Sequence, residues 1–161
     1  MSVTKTTNRV RNGRTALQKT PRHTQPVQPE VLAALANGIT DLRDLAMILM
    51  LTESGLRGSE LVRLDRGMIS LDSQRTGGHG ELPFSKSGGS RQFWFGRKSV
   101  DALIAYLNAE REQDTNDALF IDNSGNRATV HLLRSIIDRW CGRLGIEKVN
   151  LHQFRVSFAC Q

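Results

Sequence analysis

The spacing of hydrophobic residues changes twice along this chain, from helical to alternating and back to helical, and this change constrains the fold more than any other feature. Between Met68 and Phe95 apolar and polar side chains alternate, which predicts short strands at 68–71, 81–84 and 92–95. The link Ser87-Gly88-Gly89-Ser90 is typical of a hairpin turn. Helical spacing on both sides predicts helices at 31–36, 42–51, 59–64, 98–112, 129–144 and 151–161. We therefore expect an α+β fold, mainly helical, with a small three-stranded antiparallel sheet on a helical body.

Length and composition exclude several classes of protein. The 161 residues suffice for one domain, and a hydrophobic share of 39% with 24% charged residues argues against both wholesale disorder and a fibrous repeat. The longest apolar run, 45–51, is too short for a membrane span, and no secretory signal is apparent, so we expect a cytoplasmic protein. Cys141 and Cys160 lack metal-ligand spacing and lie in apolar helical contexts, which predicts two reduced, buried thiols.

Residues 1–29 form a basic segment without hydrophobic periodicity, and we expect a flexible tail or linker there, with the folded domain at 30–161. Its cations account for the whole formal net charge of +6, so the rest of the chain is neutral. They are Lys5, Arg9, Arg11, Arg14, Lys19 and Arg22. Such a tail either lies along a phosphate backbone or extends into solvent, and both interpretations remain open.

The first candidate site is Arg57, in a tight turn between Gly55 and Gly58 and directly before a short predicted helix. A glycine-flanked turn holds the guanidinium rigidly, while nearby backbone N–H groups and the helix dipole favour an anion such as a phosphate. The structural alternative is that Arg57 caps the preceding helix or pairs with Glu60.

The predicted hairpin supplies the second candidate, because Lys86 and Arg91 lie on either side of its small Gly/Ser turn. An ammonium group at such a tip can donate a proton if its pKa is lowered. The alternative is solubilising charge on an exposed sheet edge.

The third candidate is the pair His152 and Arg155, which a helix places on one face. An imidazole beside a guanidinium could assist proton transfer while the guanidinium neutralises a phosphoryl oxygen. The same spacing recurs at His131 and Arg134, so spacing alone does not choose between the two pairs, and surface residues on an amphipathic helix are the alternative for each.

Taken in chain order, the three segments resemble the catalytic domain of the tyrosine recombinase, or phage integrase, family. The resemblance extends from about Pro29 to the last residue and rests on the turn GLRGSEL, the hairpin lysine, and the step LGI followed by HQFRVSFA. It favours His152 and Arg155 as the family's histidine–arginine box, because that box follows a Gly-Ile step and precedes a Phe-Ala pair. His131 and Arg134 are then expected to be surface residues of the preceding helix.

The resemblance implies a role for each residue. Arg57 and Arg155 would bind the non-bridging oxygens of a scissile DNA phosphate, Lys86 would protonate the leaving 5′ oxygen, and His152 would assist proton transfer at the attacking group. Glu60 would support the first arginine. Expected DNA contacts are Arg57, Lys86, Arg91 and Arg155. The implied partner is double-stranded DNA, with other recombinase subunits as further candidates, and no metal or nucleotide cofactor is implied.

The sequence also departs from the family pattern. The family's nucleophilic tyrosine follows the histidine–arginine box, whereas the only tyrosine here, Tyr106, precedes it and is expected to be packed. The 29-residue tail cannot form the family's amino-terminal DNA-clamping domain. We therefore expect a recombination or integration domain truncated at both ends, which binds a phosphodiester but does not cleave it alone. The alternatives are a non-catalytic DNA-binding module acting through its tail, and a helical interaction module with no nucleic-acid role.

Overall fold

A computed structural model describes residues 24–83, 89–111 and 115–160. The helices are α1 (Pro29–Gly38), α2 (Leu42–Ser54), α3 (Gly58–Leu61), α4 (Arg97–Glu110), α5 (Val130–Leu144) and α6 (Leu151–Ala159). The strands β1 (Ile69–Leu71), β2 (Gly77–Pro83) and β3 (Ser90–Gly96) form one antiparallel sheet in the order β1-β2-β3. The predicted α+β class, mainly helical with a small three-stranded antiparallel sheet, is confirmed.

Helix α2 forms the centre of the core. Its residues 46–51 are all buried, and the helix packs against α1, α4, α6 and β3. The Asp41 side chain caps it by accepting a hydrogen bond from the backbone N–H of Asp44 at 2.9 Å, and Gly55 ends it with a φ of +62°. Gly55 therefore turns the chain sharply at the point where the candidate arginine follows.

Local signals also delimit the last two helices. Thr129 caps α5 by accepting from the backbone N–H of Leu132 at 3.1 Å, as its position before the periodic segment indicates. Asn150 caps α6, and the Gln153 side chain accepts in return from the Asn150 N–H at 2.9 Å. Helix α3 is shorter than the segment 59–64 predicts and consists of a single turn, so its dipole contributes little to anion binding.

The second strand starts earlier than its hydrophobic pattern indicates, at Gly77 rather than at residue 81. Glycine has no side chain, so this part of the strand shows no alternation of apolar and polar residues. Gly78 and Gly80 pair with Phe95 and Phe93 of β3, and a Cβ at Gly78 would approach the Phe95 ring to 2.5 Å. The two aromatic rings thus fill the space that side chains on β2 would otherwise take. Lys86 and the first half of the predicted turn, Ser87 and Gly88, lie outside the described residues, and Ser90 at its other end begins β3.

A buried carboxylate joins α2 to α5. Asp44 is fully buried, pairs with Arg43 and Arg139, and accepts a hydrogen bond from the Trp140 indole at 2.8 Å. A charge in this position needs such partners, because burying it without them is costly. The network holds α5, and the chain that leads from it to α6, in a defined position on the central helix.

The expectation about the two cysteines needs one adjustment. Cys141 is buried as predicted, but Cys160 is exposed at the end of α6, so the expectation of two buried thiols is wrong for Cys160. The folded part also reaches back to Val27, which is buried and whose N–H donates to Ser157 Oγ at 2.7 Å. No helix in the described part of the chain is long and apolar enough to cross a membrane.

Candidate functional site

The turn that carries Arg57 packs directly against α6. A Cβ at Gly58 would lie 2.7 Å from Cδ1 of Leu151, so glycine at this position allows α6 to approach closely. Phe158, one helical turn beyond the predicted histidine–arginine box, packs on Gly55 on the other side of Arg57. The two glycines that flank Arg57 therefore bring the turn against the helix that carries the other predicted residues.

Arg155 connects the two segments by a hydrogen bond. Its Nη1 donates to the carbonyl oxygen of Gly55 at 2.9 Å, across 100 residues of sequence. The side chain is half-buried, and this bond aims the guanidinium at the turn rather than into solvent. One N–H of Arg155 thus holds the fork in position, and a guanidinium has further N–H donors that can bind a ligand.

Arg57, His152 and Arg155 line one surface pocket of about 310 Å³. The pocket is open to solvent, and both Arg57 and His152 are exposed. Its remaining walls come from the α3 turn, the start of α5 and the start of α6. They are Gly58, Ser59, Val130, Arg134 and Leu151. Three of the four predicted catalytic residues are therefore neighbours, and the fourth, Lys86, lies outside the described residues.

Glu60 supports Arg57 through two hydrogen bonds. Oε1 accepts from Arg57 Nη1 at 2.9 Å, and Oε2 accepts from the Arg57 backbone N–H at 2.7 Å. Oε2 also accepts from Nη2 of Arg91 on β3 at 2.8 Å. The pairing of Arg57 with Glu60 that we considered as a structural alternative is thus present, and the same arginine lines the pocket.

Arg134 is the residue that sequence reasoning missed. It is exposed on α5, as expected of a surface residue, but it also lines the pocket beside Arg155. His131, its partner in the second pair of this spacing, is not among the lining residues. The sequence signal that could have identified Arg134 was its four-residue spacing from Val130, which places both residues on one face of α5.

The pocket carries an excess of positive charge. Three guanidinium groups line it, no Asp or Glu is among its described lining residues, and the carboxylate of Glu60 pairs with Arg57 and Arg91. Guanidinium forks match the oxygens of a phosphate and stay charged at any physiological pH. In the described ranges, no group of three or more His, Cys, Asp or Glu side chains could hold a metal ion. The arrangement suits an anion with several oxygens that reaches the protein surface.

Tyr106 lies in the core and is not among the residues that line this pocket. It is fully buried in α4, stacks on Phe120, and its hydroxyl accepts from the N–H of Ile121 at 3.3 Å. The expectation of a packed tyrosine is confirmed. A phenol held in the core cannot reach a phosphodiester bound at the surface.

Comparison with known proteins identifies a family and several relatives of this chain. The family model described as the phage integrase family matches residues 22–161. The tyrosine recombinase XerC of Actinobacillus succinogenes is 31% identical over 126 residues, which are 77% of this chain and 41% of that protein. XerC of Pelotomaculum thermopropionicum is 33% identical over 127 residues, covering 73% of this chain and 40% of that protein. The chain spans about two fifths of the length of these relatives.

Solved structures share the fold. The crystal structure of XerA recombinase superposes with a TM-score of 0.72 at 26% identity and covers 87% of this chain and 51% of its own. XerH site-specific recombinase, in a pre-cleavage complex with its difH substrate, has a TM-score of 0.68 at 21% identity, with 84% of this chain and 41% of its own covered. The arrangement of helices and sheet is therefore that of recombinase structures.

Proposed function

Because the chain belongs to the phage integrase family, we propose that it is the phosphodiester-binding part of a tyrosine recombinase that acts in site-specific DNA recombination. The observation that carries the proposal is the convergence of Arg57 and Arg155 on one pocket, joined by the bond from Arg155 to Gly55. Double-stranded DNA is the proposed partner, and the cytoplasm is the proposed location. The XerH complex with its difH substrate supports DNA as the partner of this fold.

Each residue has a proposed role at the phosphate. Arg57 and Arg155 bind the non-bridging oxygens and stabilise the charge that develops in a pentacoordinate transition state, a type of contact whose loss costs about 10²–10³ in rate. His152, exposed at the pocket wall, assists proton transfer at the attacking group. Lys86 protonates the leaving 5′ oxygen. The residues supply charge and protons, and the chemistry needs no metal or nucleotide cofactor.

We propose that this chain alone binds DNA without cutting it. Covalent attack needs an accessible nucleophile, and the only tyrosine of the sequence is buried. A duplex with a nick near the cleavage site would trap any covalent intermediate. We expect no protein–DNA adduct on a denaturing gel, and an adduct abolished by Tyr106→Phe would refute the assignment.

Duplex binding at several salt concentrations tests the pocket. Arg57→Ala and Arg155→Ala should each weaken binding, and each should make the negative slope of log K against log salt shallower by about 0.9, the value for one lost phosphate contact. Arg97→Ala is the matched control, because Arg97 is exposed, pairs with Asp101, and does not line the pocket. Wild-type affinity for both pocket variants would overturn the proposal.

A second candidate function places DNA binding in the tail. The net charge of +6 resides entirely in residues 1–29, which favours this alternative at low salt. Replacing the six tail cations by glutamine keeps the length and leaves the core residue Val27 intact. If the pocket provides the specific contact, this variant loses affinity but remains sensitive to Arg57→Ala. If the tail alone binds, the glutamine variant no longer binds duplex, and Arg57→Ala leaves the affinity of the chain with its native tail unchanged.

A further inference from the structure

Arg91 extends toward the helical body and not toward the outer face of the sheet. Strand residues alternate between two faces, and Arg91 shares its face with Phe93 and Phe95, which are buried. Gln92 and Trp94, on the opposite face, are exposed. Because Arg91 is the second residue of β3, its guanidinium extends past the edge of the core and meets the α3 turn.

The guanidinium of Arg91 ends on Glu60 rather than in the pocket. Its Nη2 donates to Glu60 Oε2 at 2.8 Å, and Arg91 is not among the residues that line the pocket. The side chain of Glu60 is 20% exposed, compared with 31% for Arg91 and 60% for Arg57. The carboxylate is therefore the most enclosed member of the three and holds one arginine on each side.

Both carboxylate oxygens of Glu60 are committed. Oε1 binds the Arg57 guanidinium, and Oε2 is shared by the Arg57 backbone N–H and Arg91. Charge-assisted bonds of this length set the orientation of a carboxylate. Arg57 is a long and mostly exposed side chain that loses rotamer freedom on binding a ligand, so a carboxylate fixed in advance lowers that cost.

We propose that Arg91 is a positioning residue, which acts on Arg57 through Glu60 and makes no direct contact with DNA. The inference rests on the proposed function, since it presumes that Arg57 binds the phosphate. It also connects the sheet to the site, because β3 is the strand that follows the segment containing Lys86, and the bond from Arg91 ties this strand to the turn that carries Arg57.

A double-mutant cycle on duplex binding by the full chain tests this proposal. In the wild-type background, Arg91→Ala should weaken binding by about threefold to tenfold, and in the Arg57→Ala background by less than about twofold, because residues that act through one another are not additive. Arg91→Lys should recover most of the affinity, since an ammonium group can give Glu60 the same single charge-assisted bond. Thermal unfolding of each variant checks that it is folded.

The outcomes separate this inference from the proposed function. An equal loss in both backgrounds means that Arg91 contacts DNA itself, and no loss in either means that it has no role at the site; both results refute the inference. If Arg57→Ala and Arg155→Ala both bind as wild type, the proposed function fails and the inference fails with it; if Arg57→Ala alone does so, the inference fails and the proposed function stands on Arg155. Arg97→Ala, which removes an arginine from another exposed ion pair, should leave affinity unchanged in both backgrounds. Should Arg91→Ala not fold, the contrast between Arg91→Gln and Arg91→Lys decides in its place.

Discussion

The side chain of Arg57 has an ion pair within the protein and also lines the pocket in which we propose that it binds a phosphate. An arginine in an isolated turn is explained adequately by an ion pair, and Arg57 has one with Glu60 at 2.9 Å. That pair uses one end of the guanidinium and leaves the side chain 60% exposed. Because a guanidinium carries five donors in a fixed fork, the pairing orients the group and still leaves donors for a phosphate.

Arg134 gives a prediction at the same scale. It lines the pocket, so Arg134→Ala should weaken duplex binding and make the negative slope of log K against log salt shallower by about 0.9, as for the loss of one phosphate contact. Binding titrations between low and moderate salt measure the slope.

Arg143 is the control for this prediction. It lies on the same helix, but its guanidinium lies 5.1 Å from the centre of the Trp140 ring and does not line the pocket. Arg143→Ala should keep the wild-type slope. An unchanged slope for Arg134→Ala would show that the residue is only part of the pocket wall.

At the scale of elements, the site depends on how closely α6 approaches the turn before α3. Gly58 permits this approach, because a Cβ there would lie within 2.7 Å of Leu151 and 3.3 Å of Leu133. The Asn150 cap fixes where α6 begins, and therefore which face of the helix presents His152 and Arg155. Packing and capping together align two short elements that are remote in sequence.

A larger side chain at Gly58 should separate these elements. Gly58→Val places branched carbons against Leu151, and overpacking of this kind costs about 1–3 kcal/mol of unfolding free energy. Urea denaturation measures the loss, and duplex binding should weaken with it. Gly142→Val in α5 is the matched substitution, where nothing lies within 4 Å, and it should change stability by less than about 0.5 kcal/mol. Equal stability of the two variants would contradict the close approach.

For the whole molecule, Asp44 joins the central helix to the carboxyl-terminal half of the fold. Its carboxylate binds Arg43 on α2 and both Arg139 and Trp140 on α5. Helix α5 supplies Arg134 to the pocket and leads to α6, so the network helps determine the relative position of the two halves of the site. A buried charge with several partners is costly to disrupt, because the remaining groups stay buried.

Removing Asp44 should therefore destabilise the fold much more than removing an exposed carboxylate. We expect Asp44→Ala to lower the unfolding free energy by about 3–5 kcal/mol, since Arg43 would lose its carboxylate partner in the core. Asp138→Ala removes the exposed pair with Lys148, in which the side chains are 48% and 73% exposed, and should cost about 1 kcal/mol or less. Similar denaturation midpoints for the two variants would argue against a stabilising network.

Much of the fold could be predicted because its signals are local. Apolar periodicity indicated the helices and strands, and the glycines around Arg57 indicated the tight turn that follows α2. The early start of β2 escaped this reasoning because Gly78 and Gly80 carry no side chain to show a period, and the rings that cover them lie on another strand.

The sequence by itself determined the type and order of the elements and indicated candidate site residues, through periodicity, turn glycines and a resemblance in chain order. Only the tertiary structure decided which cations share a pocket: Arg134 lines it with Arg57 and Arg155, whereas Arg91 turns away to Glu60. The physical reason is that these contacts arise when side chains from separate helices and strands pack together, and spacing along one element carries no information about a partner up to 100 residues away.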